Sequence, residues 1–239
     1  MKHTYIIILI LLSITCKAQT FIHTSNDSIL TEYNDGKYWV YLNKNNFIVG
    51  LTCFETKDNY GKYYRLNIFI KNISNTPVTF KPDSVYSELL TSQNTIQQLN
   101  VLTNEEYQKK IKRSQAWTMA LYGAVSGLNA GMAGYSSSNS THYSSNGYTY
   151  TTSQYYNANA AYQANIASTN QILALEQMME NDRTIREQGY LKTTTIYPNE
   201  AIIGHMNIKK KKGKILTIII PINGYIYSFK WNVCKKSNK

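Results

Sequence analysis

From Ser114 to Leu175 the chain carries no aspartate, glutamate, lysine or arginine. A charge-free stretch of that length constrains the fold, because its surface must be covered, hydrogen-bonded or given to a partner. Helix signals bound it on both sides. Thr103-Asn104-Glu105-Glu106 reads as a capping box, with the Thr103 hydroxyl accepting from the Glu106 backbone N–H and the Glu106 carboxylate reaching back. Glu105 with Lys109 and Glu106 with Lys110 are favourable i,i+4 pairs. The pattern predicts a helix to about Gly134 and a second from about Gln154 to Gln188. Asp182–Arg186 and Arg183–Glu187 pairs fall in its last turns, and Gly189 serves as a left-handed C-cap. At 1.5 Å per residue such helices are roughly 45–50 Å long. Packed antiparallel, they return the chain to its starting point, which lets a β domain accept the insertion.

Both helices are rich in small residues. Gly123, Gly127 and Gly131 recur at every fourth position, and Ala160, Ala164, Ala167 and Ser168 follow helical spacing. A glycine inside a helix costs about 1 kcal/mol relative to alanine, which close backbone approach can offset. Three readings stand: the small faces meet within one hairpin, they meet between protomers, or they pack in a bilayer as Gly-x-x-x-Gly helices do. Ala116 to Gly134 is just long enough to span, but Gln154, Asn157, Asn159, Gln163, Asn165, Asn170 and Gln171 in the partner helix oppose insertion. Between the helices, Tyr135, Tyr143, Tyr148, Tyr150 and Tyr155 punctuate Ser, Thr, Asn and Gly. That is the chemistry of adaptable binding loops and of stacking on sugar faces, and also that of a low-complexity linker.

On either side of the insertion the apolar pattern has period two. Ile29 to Tyr33 and Tyr38-Trp39-Val40 flank Asn34-Asp35-Gly36, a tight-hairpin signal. Phe47 to Phe54 is a strand, and Tyr64, Leu66, Ile68 and Ile70 alternate with the wetter Arg65, Asn67, Phe69 and Lys71. Shorter strands are expected over Val78–Phe80, Val85–Leu90 and Ile96–Val101, and later over Leu191–Ile196, Ala201–Ile208, Ile215–Ile220 and Tyr225–Val233. Many short strands with Gly, Asn and Pro punctuation point to an antiparallel sandwich.

The stretch Leu66-Asn67-Ile68-Phe69-Ile70-Lys71-Asn72-Ile73-Ser74-Asn75-Thr76-Pro77-Val78 resembles the central strand pair of bacterial extracytoplasmic immunoglobulin-like domains. Pro198 to Gly204 followed by Ile215 to Ile220 is similar to their later strands. The likeness covers about half the chain and implies a fold without an activity. The insert is similar to those of uncharacterised envelope proteins with an Ala/Gly/Tyr/Ser-rich insert. The expected organisation is a signal peptide over 1–18, sandwich over 19–102, helical hairpin over 103–190, sandwich over 191–234 and a basic tail over 235–239. The fold class is thus an all-β immunoglobulin-like sandwich with an inserted α-helical hairpin, α+β overall.

The formal charge is +11, and in the mature chain the excess falls after residue 190. Lys209, Lys210, Lys211, Lys212 and Lys214 form one group, read as a hairpin tip, and Lys235, Lys236 and Lys239 another. An anionic surface fits this group, as does a solvated turn that blocks edge pairing. Nucleic acid is not expected, because no aromatic residues interleave the lysines. The short basic start and apolar run Tyr5–Leu12 predict export, with cleavage after Ala18; lipidation at Cys16 is the alternative. Cys53 and Cys234 are predicted on opposite strand faces, against a disulfide. The four histidines lack ligand spacing, no nucleophile elbow or phosphate-binding glycine loop occurs, and neither metal nor cofactor is expected. Asp27-Ser28-Ile29 and Asp83-Ser84-Val85 match a short periplasmic O-glycosylation pattern. The functional expectation is a non-catalytic envelope or secreted module that meets a protein or glycan, or itself, through the hairpin. A membrane-associating protein and a periplasmic accessory or chaperone-like factor are the alternatives.

Overall fold

Among the described residues, antiparallel sheets and two 30-residue helices form an α+β arrangement. The computed structural model describes residues 20–22, 29–34, 36–133, 135–144 and 147–234. The expected signal peptide, Cys16, Ala18 and the basic tail after Cys234 lie outside these residues. In chain order the strands are β1 (Thr20–Phe21), β2 (Ile29–Asn34), β3 (Lys37–Lys44), β4 (Phe47–Asp58), β5 (Gly61–Asn72), β6 (Val78–Phe80), β7 (Tyr86–Leu90), β8 (Ile96–Leu99) and β9 (Val101–Leu102). Helix α1 (Asn104–Ala133), strands β10 (Tyr135–Ser144) and β11 (Gly147–Tyr156) and helix α2 (Ala158–Glu187) follow. Strands β12 (Thr194–Ile196), β13 (Ala201–Lys209), β14 (Ile215–Ile222) and β15 (Tyr225–Asn232) complete the chain. The molecule divides into two compact units, one formed by the segments up to Glu105 and from Gly189, the other by Glu106–Gln188.

The first unit holds a six-stranded sheet ordered β2-β3-β4-β5-β13-β9 and a five-stranded sheet ordered β1-β15-β14-β7-β8. A two-stranded β12-β6 ladder accompanies them. Turn chemistry sets the hairpins. Asn45 and Asn46 have φ of 52° and 62° between β3 and β4, and Asn223 and Gly224 have 49° and 80° between β14 and β15. Two successive left-handed residues match the twist of the flanking strands. Gly36, at φ 69°, closes β2 onto β3 as the Asp-Gly signal predicts.

The two large sheets face each other across one core, a sandwich-like arrangement. Tyr64, Leu66, Ile68 and Ile70 of β5 are fully buried, as are Tyr227, Phe229 and Trp231 of β15. Trp231 meets the Tyr38 ring edge-on at 6.4 Å, and the Tyr227 hydroxyl donates to the Lys44 carbonyl at 2.8 Å. Burial, with Tyr225 nearby, pushes the Tyr227 hydroxyl up to about 12. Cys53 points into this core, its thiol pushed up by burial and then by Glu55, while Cys234 is exposed past β15.

Three expectations need correction. The lysine-rich segment 209–214 is no hairpin tip: β13 belongs to the six-stranded sheet and β14 to the five-stranded one, so the segment crosses between sheets. The Lys214 N–H donates to the Leu90 carbonyl at 2.7 Å, and Gly213 lies so close to Leu89 that a Cβ there would be 2.6 Å from its side chain. A polar crossover and a polar turn have the same composition, which is why the sequence pattern favoured the hairpin. The strand expected over Ile96–Val101 is divided: β8 pairs with β7, whereas β9 pairs with β13 in the other sheet. The Tyr/Ser-rich tip is neither loop nor linker in backbone terms, since β10 and β11 pair in register from Tyr135↔Tyr156 to Ser144↔Gly147. Thr and Tyr favour extended backbone, and no proline interrupts the run.

Candidate functional site

The charge-free stretch lies in the second unit. There α1 and α2 pair antiparallel, held by polar bridges. Gln108 donates to the Arg183 carbonyl at 3.3 Å, Gln115 to the Met179 carbonyl at 3.0 Å, and the Tyr122 hydroxyl to Gln171 at 3.0 Å. Arg183 returns a hydrogen bond to the Gln115 side-chain oxygen at 2.7 Å. The Asp182–Arg186 pair expected from spacing forms at 2.9 Å. Burial lowers the Arg186 pKa, but hydrogen bonds to Asp182 and Tyr107 outweigh it and hold the guanidinium above its usual range. Asn157 caps α2 by accepting from the Ala160 N–H at 3.1 Å. Gly189, at φ 70°, takes the left-handed conformation expected after that helix.

Burial marks which helix faces meet. On α1, Tyr107, Ile111, Gln115 and Ser126 are buried and Met119 and Tyr122 half-buried, at spacings of one helix face. On α2, Ala160, Ala164, Ser168, Leu175 and Met179 form a half-buried stripe. Ala160 and Ala164 therefore lie where helix packing was expected. The glycines do not. A Cβ built on Gly123 or Gly127 meets nothing within 4 Å, so their face is not the one that packs against α2. The surroundings of Gly131 lie outside the description. The side chains actually used at the seam are Gln115, Tyr122 and Ser126, which need no glycine opposite them.

A second feature of α1 was not singled out from sequence. Trp117, Leu121, Val125, Leu128 and Met132 are 72%, 63%, 58%, 67% and 70% exposed. At 100° per residue their spacing confines them to an arc of about 80°, a continuous apolar line along one side of the helix. The signal was present in the sequence as i, i+4, i+8, i+11, i+15 periodicity, but a helix segment without charged residues on any side does not reveal which face its neighbour takes.

The remaining predicted positions are scattered. Tyr135 is exposed, with its ring 5.1 Å from that of Tyr156. Tyr143 pairs with Tyr148, Tyr150 with Thr141 and Tyr155 with Ser136 in the β10–β11 ladder, and their side chains lie outside the description. The lysines are divided. Lys210 is ion-paired with Glu55 and lies 5.8 Å from the centre of the Tyr64 ring, and Lys214 donates to Asn94 at 2.7 Å. Lys209, Lys211 and Lys212 are exposed. Ser84 is half-buried with its hydroxyl donating to the Lys81 carbonyl at 2.7 Å, and Asp27 and Ser28 lie outside the described residues.

Among the described residues no group of three or more His, Cys, Asp or Glu is placed to hold a metal ion. No helix among them is long and apolar enough to cross a membrane. Comparison with protein-family models, curated proteins and solved structures gives no match. The fold and surface define a β-sandwich-like unit joined to a helical unit that carries an uncovered apolar helix face.

Proposed function

We propose that this protein is an exported, non-catalytic binding and assembly module, an immunoglobulin-like sandwich whose inserted helical hairpin associates with a second copy of itself. One observation carries the reading: five large apolar side chains of α1 are 58–72% exposed in a single line. Exposed apolar patches of this continuity mark interaction surfaces on soluble proteins. The absence of charge from Ser114 to Leu175 supports a like-with-like contact, since no charge need be desolvated in bringing two such helices together. Light scattering on the mature chain tests the proposal, beside a Leu121→Glu/Leu128→Glu variant. A dimer or larger oligomer that the variant converts to monomer supports it. A wild-type monomer at tens of micromolar refutes it.

A further inference from the structure

The six-stranded sheet buries one face in the core. Its other face carries rows of side chains set by register. One row runs Leu30, Tyr41, Gly50, Phe69, Ile203 across five strands, each the cross-strand neighbour of the next. At about 4.8 Å per strand spacing the row is roughly 19 Å long. It is apolar, and its ends stand clear of the sheet, Leu30 being 67% and Ile203 66% exposed. Tyr41 lies flat across Gly50: a Cβ there would be 2.5 Å from its ring. The same ring meets Phe69 edge-on at 6.0 Å and stacks with Trp39 at 6.0 Å and 15°.

Tyr41 and Phe69 form a low ridge between two depressions. One, of about 390 Å³, is bounded by Asn34, Lys37, Trp39, Asn67 and His205. The other, of about 580 Å³, is bounded by Leu30, Glu32, Asn43 and Ile48. Flat aromatic and aliphatic surface thus runs down the middle, with amide and imidazole groups along its margins. Asn34, Asn43 and Asn67 each offer donors and an acceptor. His205 is held neutral near pH 7, mainly by burial and then by Arg65; with its N–H engaged by the Gly189 backbone, its other ring nitrogen offers an acceptor. Among the residues lining the two depressions the charged ones are Lys37 and Glu32, one of each sign, while Arg65 and Lys71 stand farther along the same face.

We infer that this face binds a short neutral oligosaccharide of pyranose rings with equatorial hydroxyls. Such rings have apolar C–H faces that stack on Tyr41 and Phe69, and hydroxyl edges that both donate and accept, as the marginal amides do. The site is separate from the α1 surface, so either reading can fail without the other.

Isothermal titration calorimetry of the full chain with cellopentaose, xylopentaose and penta-N-acetylchitopentaose tests this. At least one should bind with saturable heat. Tyr41→Ala and Asn67→Ala should each weaken that binding roughly tenfold or more, with circular dichroism and urea midpoints showing a folded protein. Gly50→Ala keeps every ring but displaces Tyr41, and should weaken binding with the fold retained. No heat from any of the three sugars overturns the inference, as does binding unchanged in both Tyr41→Ala and Asn67→Ala. Heat only from a Phe- and Leu-containing peptide also overturns it, in favour of peptide docking.

Discussion

His205 gives the fold a calculable response to acid. It sits in β13, only 9% exposed, with the Tyr190 ring 4.9 Å away. Burial, and then the charge of Arg65, lowers its pKa from 6.5 to about 4, against a smaller opposing hydrogen bond to the Gly189 backbone. The unfolded chain therefore binds a proton that the folded chain refuses between those two values. Stability from this residue is fully present above pH 6.5 and is lost as pH falls toward 4. At about 1.4 kcal/mol per pKa unit, discounted for partial solvent access, the loss is about 1–3 kcal/mol. His205→Gln keeps a polar side chain without the titration. Urea unfolding of both proteins at pH 7.0 and 4.5 isolates the effect, because the carboxylates titrate alike in each. The wild type should lose about 1–3 kcal/mol more than the variant over that interval. Equal losses, or a larger loss in the variant, would show that His205 does not resist protonation in the fold.

Asn72 is fully buried and its amide donates to the Thr76 and Ile196 carbonyls at 2.8 and 3.0 Å, while its oxygen accepts from the Ser74 N–H and hydroxyl. Asn72→Ala strands those groups and should cost about 2–4 kcal/mol in urea denaturation, whereas Asn75→Ala, in the same turn, should be near neutral. A Cβ at Gly204 would lie 2.7 Å from Leu191 and 2.8 Å from the Gly189 carbonyl oxygen; Gly204→Ala should lower stability by about 1–3 kcal/mol by the same assay. On α1, the five exposed side chains are each about two-thirds uncovered, so burying them in both copies is worth roughly 14 kcal/mol, of which association consumes about 4–15. Dissociation near the micromolar range is expected by sedimentation, and Leu121→Glu/Leu128→Glu should raise the constant at least a hundredfold.

Much of the β architecture was readable because one rule governs it. Period-two alternation located β5 and β15, and Asp-Gly located the β2–β3 turn, since each depends on residues adjacent in sequence. What failed depended on where a strand goes next. Ile96 to Val101 reads as one strand, but the structure divides it at Asn100, with Leu99 and Val101 both buried in different ladders. The Lys209–Lys214 crossover failed for the same reason: local polarity gives the exit from a strand and not the sheet in which the chain re-enters.

The helical unit shows the limit in a sharper form. A helix that is polar on one side announces its buried face, and α1 before Ser114 does so, with Tyr107 and Ile111 buried among lysines. Beyond Ser114 no charged residue marks a solvent face, so periodicity has little contrast to report. Glycine spacing then became the available signal, and it selected a face that meets nothing within 4 Å at Gly123 and Gly127. The seam went instead to residues able to hydrogen-bond across it, Gln115 and Tyr122. A long antiparallel contact requires register as well as proximity, and directional bonds to the Met179 carbonyl and the Gln171 side chain supply register where small apolar faces would slide. On that account Gln108, Gln115 and Tyr122 are committed within the hairpin, and the apolar line from Trp117 to Met132 is the surface left for a contact whose register the hairpin itself does not set.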